Sequence, residues 1–481
     1  MAKLINVWCS VFFTVFLCAA AAHAQETDPA KVDPRQQPVA PYVAPLAAGS
    51  SSVLALNSPI GAGEEVQVAG NDQPLSGVQA PTLGPSMGAR NFLVPSFSAT
   101  SQLATSSSAA GFTRPTDYNY LLGNLDLSHA TNRSELLLHY TGGGMISSYQ
   151  NSAVQDLEFT YSYKWQRWSL LLGDGVSFLS ESPFGFGGVG GLGYLNGGSL
   201  FGPGGFLNGI LGPNQTIPTL LVPRLSNTFV SQIEYKVSPR SSWTASGSYG
   251  TLNFLGLNYV NSADTMFQTG YNYSLSPAST IAVIGRFDDY RFTKFGQSME
   301  NAVLKFGYGR YLTGRLSFQV AAGSSVILQR GVLTGSTNNV TWALDSALNY
   351  KWDRTTLLFT YDHLVTGGSG VLVGAQTGQV EATLERTLSG RWKASVSAGY
   401  ATNTSLLPTS VLAARENYSS WYAAVRFSHE LRPGSNLFVS YGARLQALNG
   451  ATCTTINCGG NFVSHEISAG FNFGFRPILF R

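Results

Sequence analysis

From about residue 96 onward, hydrophobic and polar residues alternate along the chain in segments of about ten residues. Val380, Ala382 and Leu384 stand at one parity, and Glu381 and Glu385 at the other. Since successive side chains of a β-strand point to opposite faces, such a segment predicts a strand with one apolar face and one polar face. The chain is therefore predicted to be all-β.

Short polar turns join these segments in pairs, and longer loops rich in Gly, Ser and Asn separate the pairs. Each turn contains Gly, Pro, Asn or Asp, or a polar pair, which are the residues that reverse a chain. The repeating unit is therefore an antiparallel hairpin. The turns lie at 130–133, 164–167, 238–241, 276–279, 312–315, 351–354, 388–391 and 431–434.

Aromatic residues gather beside the tight turns, on the apolar side of the strands. Amphipathic rings collect at a membrane interface, where the apolar face of each strand would contact lipid. A sheet can span hydrocarbon only when it closes on itself, so the pattern predicts a transmembrane antiparallel up-and-down β-barrel. A soluble solenoid or fused sandwiches are the alternative. The aromatic residues are Tyr163, Trp165, Trp168, Tyr235, Trp243, Tyr273, Tyr350, Trp352 and Trp392.

The alternating segment 462–475 carries Ile467, Ala469, Phe471, Phe473 and Phe475 at every second position. It resembles the terminal strand of bacterial outer-membrane β-barrels, although an Arg-Pro-Ile-Leu-Phe-Arg extension follows where those proteins usually end on an aromatic residue. The resemblance is to this porin-like class and to no specific characterised family. It implies a Gram-negative outer membrane, contact with its lipid, and recognition by the barrel-assembly machinery.

The turns and the terminal segment set the strand number. Eight turns give sixteen strands and the terminal segment gives one more, whereas single-chain bacterial barrels use even numbers. A further strand is therefore expected within Ser96–Ser107, for about 18 strands, with 16 as the alternative. Short turns would face the periplasm and the longer loops the cell exterior.

The N-terminus predicts a signal peptide over 1–24, with Lys3, an apolar run from Val7 and an Ala-His-Ala site before Gln25. Residues 25–95 are rich in Pro, Ala, Gly, Ser and Gln, which predicts a disordered periplasmic leader with a short ordered motif near Ile60–Ala69. Residues 96–481 form the predicted barrel. No later run of about 20 apolar residues predicts a spanning helix.

Two loops have distinct compositions. The Gly-rich loop 182–221 lacks any strand period, and it either folds back to narrow the lumen or is a mobile surface loop. Cys453 and Cys458 predict one small disulfide in an extracellular loop, with metal binding the weaker alternative.

The sequence offers no catalytic, phosphate-binding or cofactor-binding motif, so no enzyme activity, cofactor or metal site is expected. A net charge of +3 without any basic cluster argues against nucleic-acid binding. Charges of both signs occupy the polar parity, and they either line a wet lumen or pair across it. These lumen-lining candidates are Glu158, Lys164, Glu234, Lys236, Arg286, Lys305, Arg315, Asp345, Asp362, Glu381, Glu385, Lys393, Arg426 and Arg444.

Three functions fit this pattern. A porin-like channel for small polar solutes follows from the charged parity. A structural or surface-binding barrel follows from the Gly-rich loop. Residues 58–70 resemble the opening motif of polysaccharide-export proteins, which implies an outer-membrane partner in exopolysaccharide export. The pattern leaves the solute and the oligomeric state open.

Overall fold

The chain is described here by a computed structural model. The structure describes residues 74–77, 91–108, 111–112, 115–148, 151–179, 217, 223–256, 259–293, 296–331, 335–368, 370–407, 417–432, 435–449, 461–476 and 478–480. The predicted signal peptide, most of the predicted leader, nearly all of the Gly-rich loop and the two loop cysteines lie outside these residues.

Alternating apolar and polar residues form strands throughout the described ranges, and each long strand runs antiparallel to both of its neighbours. The strands are β1 (Asn91–Ser108), β2 (Gly111–Phe112), β3 (Thr116–Ala130), β4 (Ser134–Ser147), β5 (Ser152–Lys164), β6 (Trp168–Leu179), β7 (Arg224–Ser238), β8 (Ser241–Phe254), β9 (Ser262–Ser276), β10 (Ser279–Phe292), β11 (Gln297–Thr313), β12 (Leu316–Gly331), β13 (Gly335–Trp352), β14 (Thr355–Thr366), β15 (Val373–Thr387), β16 (Trp392–Leu407), β17 (Asn417–Arg432), β18 (Ser435–Asn449), β19 (Phe462–Gly474) and β20 (Ile478–Leu479).

The sheet closes because β1 pairs with β3 on one side and with β19 on the other. Ala99, for example, lies opposite Leu121 of β3 and Phe471 of β19. β2 and β20 are two-residue strands, so 18 long strands form the wall. The predicted barrel of 18 strands is confirmed, and its first strand begins at Asn91.

All eight predicted turns join consecutive long strands, and together they form one rim of the barrel, which we call the turn end. The opposite rim, where the longer connections lie, is called the loop end. Ser and Thr side chains stabilise several turns: Thr131 Oγ1, for instance, accepts a hydrogen bond from the Ser134 backbone N–H at 3.0 Å.

The outer face is apolar and exposed, as a lipid-facing wall requires. Phe229, Phe267, Leu304 and Val439 project outward. The predicted rings line the turn end, where Trp168 packs on Tyr235 with centroids 4.4 Å apart. Other exposed aromatic residues stand farther up the strands: Tyr140, Tyr249, Trp342, Trp421 and Tyr441.

No helix in the described part of the chain is long and apolar enough to cross a membrane.

The segment after β19 continues along the first strand at the turn end, in the same direction as β19. Ile478 and Leu479 of β20 pair with Leu93 and Phe92 of β1. The Phe480 ring stacks on His129 of β3 at a centroid distance of 6.1 Å. The extension that departs from the usual terminal strand is thus a part of the wall's rim.

The ladder between β13 and β14 stops halfway up the wall, at the pair Leu344–His363. Above it, residues 335–343 of β13 pair only with β12 among the described residues. The upper part of β14 bends into the barrel, where the backbone oxygen of Val365 accepts a hydrogen bond from the Tyr290 hydroxyl at 3.1 Å. The Trp342 ring stacks on His363 at 3.8 Å at the point of separation.

Candidate functional site

The candidate site is the interior of the barrel, which the polar parity of every long strand lines. On β7, Ser226, Thr228 and Glu234 are buried inside, whereas Leu225 and Phe229 are exposed outside. Hydrogen bonds cross between neighbouring strands on this inner face, as between the Ser177 and Ser226 hydroxyls at 2.7 Å. The interior is therefore a polar surface held by a cylinder of backbone hydrogen bonds.

The predicted lumen-lining residues fall into three groups, and all that lie in strands share the inward parity. Glu158, Glu234, Lys305 and Arg426 are buried. Lys164, Lys236 and Arg315 are exposed at the turn end, and Arg315 lies in a turn instead of a strand. The intermediate group comprises Arg286, Asp345, Asp362, Glu381, Glu385, Lys393 and Arg444.

One inward cluster spans β11, β13 and β14. The Lys305 ammonium forms an ion pair with Asp345. Asp362 lies directly opposite Asp345 in the ladder and accepts a hydrogen bond from the Gln379 amide at 3.3 Å. Two carboxyl groups and one ammonium are thus brought together on this part of the wall.

A second group lies further round the wall. The Tyr422 hydroxyl donates a hydrogen bond to Glu381 at 2.5 Å. The Arg426 guanidinium lies over the Phe438 ring, 3.7 Å from its centroid, in cation–π geometry. Predicted lumen charges are therefore held by aromatic and hydroxyl neighbours as well as by opposite charges.

The structure adds inward charges that the sequence prediction did not include. Arg286 Nε donates to Asp288 Oδ1 at 2.7 Å, and Asn301 donates to the other oxygen of that carboxylate at 3.1 Å. His139 and Asp126 form another inward ion pair. Parity was the available signal, since Asp126 alternates with Leu125 and Leu127 as the predicted residues do with their neighbours.

The loop end of the lumen is narrowed by apolar side chains. The inward-bent β14–β15 connection packs Val365 and Val373 against Phe292, Met299 and Ile327 on the inner faces of β10–β12. These three strands are two to four positions from β14 round the ring, so the cluster fills the lumen beside this part of the wall. The described residue of the Gly-rich loop reaches the same end of the barrel, as Ile217 is buried against Leu372, Ala375 and Tyr418.

Near the turn end, the described segment of the leader lies inside the barrel. Pro74–Gly77 forms a turn in which the Gly77 N–H donates to the Pro74 oxygen at 3.0 Å. Ser76 is fully buried against Thr244, Gln268 and Asn272 of β8 and β9. The ordered motif predicted near Ile60–Ala69 lies outside the described residues.

No group of three or more His, Cys, Asp or Glu side chains within the described ranges is placed to hold a metal ion. The predicted pair Cys453 and Cys458 lies outside these ranges, as do residues 58–70.

A closed wall, an exposed apolar outer face with aromatic rings at the turn end, and a polar charged interior define a membrane-spanning β-barrel. The chain is similar in fold to solved outer-membrane barrels of Pseudomonas aeruginosa. OccK2 (OpdF) shares 9% identity over 80% of this chain and 98% of that one, with a TM-score of 0.44. OprD shares 9% identity over 81% and 97% with a TM-score of 0.41, and OccK3 (OpdO) 12% over 80% and 96% with a TM-score of 0.42.

No protein-family model matches the sequence, and no curated protein matches it.

Proposed function

We propose that this protein is an outer-membrane channel for small polar solutes. One observation carries the proposal: a closed wall of 18 long strands presents charged, hydroxyl and amide side chains on its inner face. Barrels of about 16 to 18 strands enclose an aqueous channel unless other elements plug them. The turn end would face the periplasm and the loop end the cell exterior.

Planar-bilayer recording of the detergent-purified protein tests this proposal. Discrete conductance steps are expected on insertion into a bilayer bathed in simple salt. Protein that inserts with the correct heat-modifiable gel mobility and gives no steps would rule out the channel.

The carboxyl groups of Asp345 and Asp362 predict the sign of the channel's ion preference at alkaline pH, where both are ionised. Under these conditions Asp362→Asn removes one negative charge from the lumen, so the cation-to-anion permeability ratio should fall about twofold. Asp289→Asn is the matched control because Asp289 stands at the outward parity of β10, paired with Arg291 at 2.9 Å. Reversal potentials in a salt gradient measure the permeability ratio of both variants. An equal shift in the two variants would place the selective charges outside the lumen.

A structural barrel without a through-channel is a second candidate, favoured by the apolar cluster inside the loop end. The bilayer recording separates the two. Export of an exopolysaccharide would rest on residues 58–70 alone, and its test is whether deletion of the gene changes secreted polysaccharide.

A further inference from the structure

The leader turn Pro74–Gly77 meets the inner wall with an unusually complete set of contacts. The Ser76 backbone N–H donates to Asn272 Oδ1 at 2.9 Å, and Asn272 Nδ2 donates to Ser76 Oγ at 2.7 Å. Gln268 Nε2 donates to the Ser76 backbone oxygen at 2.8 Å. The Ser76 and Thr244 hydroxyls lie 2.5 Å apart. Every polar group of Ser76 is therefore satisfied by the barrel, as burial of a polar residue requires.

The wall fits the turn sterically as well as through hydrogen bonds. A Cβ on Gly270 would lie 2.3 Å from the Ser76 Cβ, so only glycine leaves room for the turn at that position. A Cβ on Gly77 would lie 2.8 Å from Pro74 Cγ and 2.9 Å from Gln232 Oε1. Two glycines, one in the leader and one in the wall, are thus needed for this close approach.

The hydrogen-bond partners of Ser76 lie 168 to 196 residues away in sequence. Two consecutive strands supply them, Thr244 from β8 and Gln268 and Asn272 from β9, and Gln232 of the preceding strand β7 lies against Gly77. All four side chains stand at the inward parity of their strands. The site is therefore built by the tertiary fold, and it recognises one specific turn instead of a generic polar chain.

We propose that the leader turn Pro74–Gly77 is docked on β7–β9 as an internal constriction of the channel, and that its release widens the lumen. Backbone packed against a sheet occupies about 10 Å of the space in front of it. A turn held at the turn end would thus narrow the periplasmic side, opposite to the apolar cluster at the loop end. This inference rests on the channel function proposed above.

Docking can be measured without any conduction. In a chain whose native cysteines are replaced by serine, Ser76→Cys and Thr244→Cys place two thiols where the two hydroxyls now touch, so a disulfide should form on mild oxidation. Ser76→Cys with Ser248→Cys is the control, because Ser248 is inward on the same strand but about 13 Å further along it. Gel electrophoresis under non-reducing conditions detects the disulfide-bonded product.

The effect of the docked turn on the width of the lumen is measured by single-channel conductance. Gly77→Val introduces a side chain where Pro74 and Gln232 leave no room, without altering the wall, and should raise the single-channel conductance about twofold. Gly49→Val, in the predicted leader but outside residues 58–70, is the matched control and should leave the conductance unchanged. Cross-linked Ser76→Cys/Thr244→Cys protein should keep the wild-type conductance.

Each result decides between the two proposals. An absent disulfide in a conducting protein overturns the docking and leaves the channel in place. A disulfide together with unchanged conductance in Gly77→Val overturns the constriction. A disulfide in a protein that never conducts overturns the channel, and the constriction with it.

Discussion

At the scale of single residues, the outer face accommodates an acidic residue because the next strand supplies its partner. Asp174 stands at the outward parity of β6, between Leu172 and Val176. Asn227 of β7 donates to its carboxylate at 2.8 Å and to the Gly175 oxygen at 3.2 Å. A lipid-facing wall offers few other hydrogen-bond donors, so the Asn227 amide offsets much of the free-energy cost of placing the carboxylate there.

Replacing the donor should therefore destabilise the barrel. Asn227→Leu leaves the carboxylate without its side-chain partner, and we expect a loss of about 1–3 kcal/mol in the free energy of unfolding. Urea unfolding followed by tryptophan fluorescence measures the loss. The double variant Asp174→Leu/Asn227→Leu should recover most of it. Ser231→Leu, outward on the same strand, is the control, and equal destabilisation there would contradict the explanation.

Backbone approach sets a second residue-scale constraint, at Gly323 of β12. A Cβ at this position would lie 1.8 Å from the Leu304 backbone oxygen, inside the ladder between β11 and β12. Gly323→Ala should cost about 1–3 kcal/mol of stability, in the range of overpacked sites. Gly390→Ala has nothing within 4 Å of the new atom and serves as the control. The prediction is wrong if both variants unfold at the same urea concentration.

At the scale of elements, the β14–β15 connection departs from the regular hairpin because glycines let it bend inward. Gly368, Gly370 and Gly374 have φ of 82°, 75° and 74°, a backbone region that L side chains rarely adopt. Gly370 also lies against the Phe254 ring, and a Cβ added to Gly370 would be 2.0 Å from the nearest ring carbon. The Gly370 backbone oxygen accepts a hydrogen bond from the Val260 N–H at 2.8 Å. The connection is therefore fitted to the opposite part of the rim.

Gly370→Ala should release this connection from the rim. Strain at positive φ and the clash with Phe254 both oppose the inward fold, so we expect faster cleavage by protease added to whole cells and a larger conductance. Gly314→Ala, in an open turn with no atom within 4 Å, should change neither. Unchanged cleavage and conductance in Gly370→Ala would show that the cluster does not depend on this glycine.

At the scale of the whole molecule, the closing contact between β1 and β19 makes one cylinder from nine hairpin-like pairs. Ala99→Pro removes an N–H from a strand that is paired on both sides and should prevent stable barrel formation. Ala99→Val keeps the donor and adds apolar area on the lipid side, so it should fold normally. Heat-modifiable gel mobility distinguishes the two, and folded Ala99→Pro protein would show that closure does not depend on this ladder.

The sequence specified the wall in detail because each part of it depends on neighbours in the chain. Period 2 assigned Glu381 and Arg426 to the inner face, and turn residues predicted all eight short reversals, hence sixteen strands. The terminal segment and the even strand number of single-chain barrels added the other two. It could not specify the turn at Ser76 or the bend at Val365. Their partners lie 196 and 75 residues away, and alternation says which face a side chain occupies but not what lies across the lumen from it.

The segment Ile478–Phe480, held against Asn91–Leu93 and His129, places the first and last parts of the wall side by side at one rim. The first and last residues of the barrel wall are consequently close enough in space to be joined. A short linker between Phe480 and Asn91, with new termini opened in the connection between β16 and β17, would encode the same order of neighbouring strands. Circular permutants of this kind should insert and migrate like the parent, because cutting there interrupts no ladder.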